Sequence, residues 1–123
     1  MSDHNCDALI VTCIDFRFQK YINNWITKNF QPKTFDRVAI AGGVFDLDYV
    51  LKQTEISHRL HHIHKVILIN HEDCGAYGEV GTAEKHSEDL KSACEEIKKD
   101  YPELKVEGYY LHLDGTPEMI IQK

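Results

Sequence analysis

Lys65-Val66-Ile67-Leu68-Ile69-Asn70 is the stretch that decides the fold. It is a short, unbroken apolar run without the alternation of a half-exposed strand, so it reads as a strand buried on both faces. Such strands belong to parallel sheets, whose crossover helices cover both sides. The run delivers His71 at its carboxyl end. Working outward, Ala8-Leu9-Ile10-Val11-Thr12 has the same character and stops at Cys13. Arg37-Val38-Ala39-Ile40-Ala41 makes a further strand, closed by Gly42-Gly43, where a backbone without side chains can turn sharply. Between and after these runs, apolar residues recur at helical spacing. Phe18 to Asn29 carries Phe18, Tyr21, Ile22, Trp25 and Ile26, with Pro32 just beyond. Asp46 to His62 carries Leu47, Val50, Leu51 and Leu60, and Ala83 to Asp100 is stopped near Pro102. The tail from Leu104 to Ile121 reads as strand, turn at Asp114-Gly115, strand. The expectation is an α/β fold: a three-layer, mainly parallel sheet flanked by helices, with a C-terminal antiparallel strand pair. Ligands of such sheets bind outside the carboxyl ends of the strands, where strand order reverses.

With 123 residues the chain suits one domain, residues 1–123. A composition of 42% hydrophobic and 28% charged residues is that of an ordinary globular protein. No apolar run approaches the roughly 20 residues of a membrane span. The leader Met1-Ser2-Asp3-His4-Asn5-Cys6 has neither the basic start nor the apolar core of an export signal, so the expected location is the cytoplasm. A net charge of −6, with basic residues scattered among acidic ones, argues against nucleic acid as a partner. The four cysteines are then better read as thiols than as disulfides. Cys6 in a polar leader and Cys94 on the apolar face Leu90, Ala93, Cys94, Ile97 carry no motif.

Cys13 and Cys74 do carry one. Cys13-Ile14-Asp15-Phe16-Arg17 leaves the first strand, and His71-Glu72-Asp73-Cys74-Gly75 leaves the strand that decides the fold. Two thiolates and an imidazole form a soft donor set that suits Zn2+ and leaves a tetrahedral ion one ligand short. Two thiolates also cancel the charge of zinc, so the ion acidifies its water less than a three-histidine centre does. Asp15, paired with Arg17, is placed to help: it could accept a hydrogen bond from zinc-bound hydroxide while Arg17 keeps it off the metal. Released by Arg17, Asp15 could instead become the fourth ligand and close the site.

The pattern Cys13-x-Asp15-x-Arg17, Ala41-Gly42, His71-x-x-Cys74-Gly75 resembles the β-class carbonic anhydrases. The resemblance implies that Cys13, His71 and Cys74 hold zinc, and that Asp15 and Arg17 form the catalytic dyad. It also implies attack of zinc-bound hydroxide on carbon dioxide to give bicarbonate, a lyase reaction on a small-molecule substrate, in a homodimer or higher homo-oligomer. The chain departs from that family at three positions near the chemistry. The family has a small residue where Phe16 stands, usually Asn where Gly43 stands, and commonly Gly where Asn70 stands. Two other readings of the same residues are a zinc hydrolase acting on carbonyl sulfide, carbon disulfide or an ester, and a non-catalytic, zinc-stabilised binding protein with Asp15 on the metal.

The remaining motifs read more plainly. Phe16 and Phe18, at a strand-to-helix junction, are expected in the core, the alternative being a pocket wall that shapes access to zinc. His58, His61, His62 and His64 have no carboxylate or cysteine in register and read as a polar helix end. Gly75-x-x-Gly78-x-x-Gly81 lacks the Lys and the spacing of a phosphate loop and reads as a flexible turn.

Overall fold

The structure is a computed structural model, described for residues 4–123. The first half of the leader, on which the reading of an absent export signal partly rests, lies outside the described residues. Five strands, β1 (Ala8–Thr12), β2 (Phe35–Ala39), β3 (Lys65–His71), β4 (Lys105–Leu111) and β5 (Pro117–Gln122), form one sheet in the order β2-β1-β3-β4-β5. All neighbours are parallel except β4 and β5, which pair antiparallel. The α/β architecture is therefore the expected one, including the antiparallel pair at the C-terminal edge.

Three helices, α1 (Gln19–Asn29), α2 (Leu47–His61) and α3 (Ala83–Asp100), cover the sheet. The two-residue period of the strands sorts the core into two layers. Leu9, Val11, Val66, Leu68 and Val106 point to the side of α2 and α3, where they meet Val50, Leu90, Ala93, Cys94 and Ile97. Ile10, Ile67 and Ile69 point the other way, onto Phe18, Ile22 and Ile26 at and along α1. Burial on both faces is why these strands read as continuous apolar runs. The chain leaves β1 for β2 on one side and returns to β3 on the other, so strand order reverses between β1 and β3. The carboxyl ends of those two strands carry Cys13 and His71.

Two expectations are corrected. β2 begins at Phe35 and ends at Ala39, two residues earlier than the apolar run 37–41. It is an edge strand with one neighbour, so it tolerates Asp36 and Arg37, and Phe35 is anchored by an edge-on contact with Phe30 at 5.7 Å. Ile40 has left the strand but its N–H still donates to Thr12 O at 2.9 Å. Phe16 is not in the core: it sits in a 3-10 turn (Phe16–Phe18) with 85% of its surface exposed, while Phe18 is buried as expected. Among the described residues, no helix is long and apolar enough to cross a membrane.

Candidate metal centre

The register that aligns Thr12 with Ile69 sets Cys13, the first residue past β1, level with the end of β3. His71 is the last residue of β3. Cys74 comes back toward both through a tight turn in which Asp73 adopts left-handed backbone (φ 58°). The outcome is a buried cluster: Cys13, His71 and Cys74 place one donor atom each within 4.8 Å of one another, with the two sulfurs 3.9 Å apart.

His71 is oriented before any ion arrives. Its Nδ1 lies 2.8 Å from Glu72 O, and a carbonyl can only accept, so the proton sits on Nδ1 and the lone pair on Nε2. The Phe18 ring stacks on the imidazole at 4.1 Å and holds its plane. Nε2 is buried and has no hydrogen-bond partner, an arrangement that costs free energy unless something accepts its lone pair. Two sulfurs on a tetrahedral zinc with ~2.3 Å bonds stand about 3.8 Å apart. The spacing, the softness of the donors and the orphaned Nε2 all fit zinc.

The thiols are tuned in opposite directions. Burial opposes ionisation of Cys13, but the neighbouring His71 imidazole and the N–H groups of Gly42 and Asp15 outweigh it and bring the thiol down to about 7. The Gly42 N–H lies 3.3 Å from the sulfur. Burial, reinforced by the nearby Cys13, pushes the Cys74 thiol up. Gly42 approaches this closely through left-handed backbone (φ 83°), and a Cβ there would stand 2.8 Å from that of Phe45.

Asp15 and Arg17 form the expected pair. Arg17 Nη2 donates to Asp15 Oδ2 at 2.7 Å, Nε to Oδ1 at 3.1 Å, and its backbone N–H to Oδ1 at 2.9 Å. These bonds outweigh partial burial and hold the Asp15 carboxyl at about 2. Asp15 Oδ2 is 3.8 Å from His71 Nε2. Arg17 also reaches the second motif, donating from Nη1 to Asp73 Oδ2 at 3.1 Å and from Nη2 to Asp73 O at 2.8 Å. Gln19 Nε2 pins the first motif from behind by donating to Cys13 O and Asp15 O.

Behind the three donors lies a buried polar network that residue spacing did not reveal. Asn70 Oδ1 accepts from Val44 N–H at 3.2 Å, and its Nδ2 donates to Tyr77 Oη at 3.0 Å and His86 Nδ1 at 2.9 Å. Tyr77 Oη in turn donates to Asp89 Oδ2 at 2.8 Å. This network joins two of the family departures. Gly43 has φ 55°, and a Cβ on it would lie 2.5 Å from Asn70 Oδ1. The amide carried by residue 70 occupies space that a side chain at residue 43 would need, so the two positions are sterically coupled. The available signal was His86, which falls on the apolar stripe of α3 one turn before Leu90; Asp73 lay within the quoted motif, but its contact with Arg17 is visible only in three dimensions.

Ile14, Phe16, Ala41, Gly75 and Ala76 wall an open cavity of about 250 Å³ that reaches Cys13, Asp15 and Cys74. Its mouth is apolar and exposed at Phe16 and Ile14.

Comparison with known proteins agrees with this arrangement. Residues 3–121 match the family described as "Putative carbonic anhydrase". An uncharacterized protein of Rickettsia bellii is 29% identical, covering 98% of this chain and 85% of that one. In structure the chain is similar to a carbonic anhydrase from Glaciozyma antarctica (TM-score 0.68, 22% identity, 93% of this chain and 81% of that one). It is likewise similar to a carbonic anhydrase from Streptococcus mutans (TM-score 0.71, 16% identity, 98% and 86%). The apo form of a carbon disulfide hydrolase shares the fold at TM-score 0.62 and 14% identity over 90% of this chain and 76% of that one. With nearly its whole length matched, the chain belongs to the putative carbonic anhydrase family, as a divergent member with the β-class fold.

Proposed function

We propose that this protein is a zinc-dependent carbonic anhydrase that converts carbon dioxide and water to bicarbonate and a proton. The observation that carries the reading is the buried His71 Nε2, with no hydrogen-bond partner, facing two cysteine sulfurs beside a carboxylate locked by arginine. Cys13, His71 and Cys74 would hold the metal. When bound, zinc supplies Lewis acidity and lowers the pKa of water at its open position.

The chain's own residues do the rest. Asp15 stays ionised at every working pH because Arg17 stabilises its charge, and as an acceptor it orients the attacking water with a lone pair toward carbon dioxide. Arg17 occupies both Asp15 oxygens and so would hold the carboxylate off a bound metal. Its second anchor on Asp73 fixes the dyad to the loop that carries Cys74. The walls formed by Ile14, Phe16, Ala41 and Ala76 suit a small nonpolar substrate, which needs no polar grip. Exposed apolar Phe16 and Ile14 at the mouth are best covered by a second copy of the chain, and this supports a homo-oligomeric enzyme.

The test is stopped-flow hydration of carbon dioxide by zinc-loaded protein. Activity should fall roughly 100-fold or more in Asp15→Ala and Arg17→Ala with zinc content unchanged. No hydration between about pH 6 and 9, where zinc-bound water ordinarily titrates, would overturn the reading. A second reading, hydrolysis of carbon disulfide or carbonyl sulfide on the same centre, is favoured by the apolar mouth at Phe16. It predicts sulfide release from those substrates by protein that leaves carbon dioxide untouched.

A further inference from the structure

At the opposite end of β1 from Cys13, three side chains that the sequence reading kept apart come together. Cys6 lies in the leader, Asp36 is the second residue of β2, and His61 closes α2. The Cys6 N–H donates to His61 O at 3.0 Å, which lays the leader along the end of the helix. Asp36 Oδ2 lies 2.6 Å from His61 Nδ1 and accepts from Ser57 Oγ at 2.6 Å. The Cys6 sulfur, a carboxylate oxygen of Asp36 and a ring nitrogen of His61 all fall within 4.8 Å of one another. His61 thus has a carboxylate and a cysteine beside it after all; they come from distant sequence, which spacing within the histidine cluster could not reveal.

We propose that Cys6, Asp36 and His61 form a second zinc site, separate from the Cys13–His71–Cys74 centre and joining the leader, β2 and the end of α2. The donor types are those zinc selects: one thiolate, one imidazole, one carboxylate. Their charges also call for a cation. Cys6 and Asp36 repel once the thiol ionises, and a dication between them turns that repulsion into attraction. All three residues are half-buried, so the donors are partly desolvated yet reachable from solvent. The His4 ring stands edge-on to His61 with centroids 6.4 Å apart, which lays the leader against the same helix end. A cavity of about 250 Å³, lined by Leu9, Val38, Gln53 and Ile56, opens beside Asp36 and His61 and gives water access to the same place. The two centres are roughly 20 Å apart by the length of the strand between them, so each can be emptied without dismantling the other.

The experiment is zinc stoichiometry by equilibrium dialysis and elemental analysis of the full chain, with iodoacetamide labelling of Cys6 followed by mass spectrometry. Wild type should hold two zinc ions per chain, and Cys6→Ser and His61→Gln one each. Cys74→Ser should weaken the other centre while leaving zinc that is lost on adding Cys6→Ser. In wild type, zinc beyond the first equivalent should slow alkylation of Cys6 at least tenfold, a readout that needs no variant to fold. One zinc per chain in wild type, a second zinc that survives both Cys6→Ser and His61→Gln, or alkylation of Cys6 indifferent to zinc would each overturn the site.

Discussion

At the scale of single residues, Gly43 and Asn70 fit closely against one another. Asn70 needs all its polar atoms: it satisfies the Val44 N–H, the Tyr77 hydroxyl and His86 Nδ1 inside a region closed to water. Gly43 needs to lack a side chain, both for its positive φ and for the 2.5 Å approach of Asn70 Oδ1. Gly43→Asn should therefore cost about 2 kcal/mol or more, and Asn70→Gly a similar amount through the partners it strands. The double variant Gly43→Asn/Asn70→Gly should cost clearly less than the sum, since Asn tolerates left-handed backbone and returns an amide to the vacated space. Urea denaturation of the four proteins measures the coupling; strict additivity would show the two positions to be independent. The donor set Cys13, His71 and Cys74 was legible because donor chemistry is written in residue identity. The Gly43–Asn70 pairing was not, because it depends on two chain segments meeting side by side.

At the scale of elements, α3 joins fold to site. Thr82 caps it, accepting from Lys85 N–H at 3.1 Å, and its first turn inserts His86 into the network behind the Cys13–His71–Cys74 cluster. Burial is the main cause that lowers His86 to about 4, with the neighbouring His71 adding to it and Asp89 opposing. The unfolded chain, with an ordinary histidine near 6.5, binds the extra proton first as pH falls. The stability His86 contributes is thus complete above about pH 6.5 and drains away toward pH 4, at most about 3 kcal/mol over the window. Metal-free protein should lose urea resistance between about pH 7 and 4.5, and His86→Gln should lose markedly less over the same range. An equal loss in both would place the acid sensitivity elsewhere. The buried strands β1 and β3 were readable because burial on both faces leaves continuous apolar runs. β2 was displaced by two residues because an edge strand keeps polar residues such as Asp36 within it.

For the whole molecule, the open question is what covers the mouth of the cavity. Phe16 at 85% exposure is where a partner copy would gain most. Phe16→Asp should shift the protein toward monomer in sedimentation while leaving zinc content intact; an unchanged oligomer would place the interface on another face. The exposure of Phe16 was invisible in the sequence itself, because one exposed aromatic looks like any buried one until the turn that carries it is seen. A different property follows from the Phe18 ring lying over the His71 imidazole at 4.1 Å with their planes 26° apart. Aromatic ring currents shield protons held above a ring face, so the carbon-bound protons of His71 should resonate upfield of those on the exposed histidines. The protein carries its own nuclear magnetic resonance indicator of the imidazole that closes β3: a line that Phe18→Leu moves downfield, and whose position reports the state of Nε2 without any label.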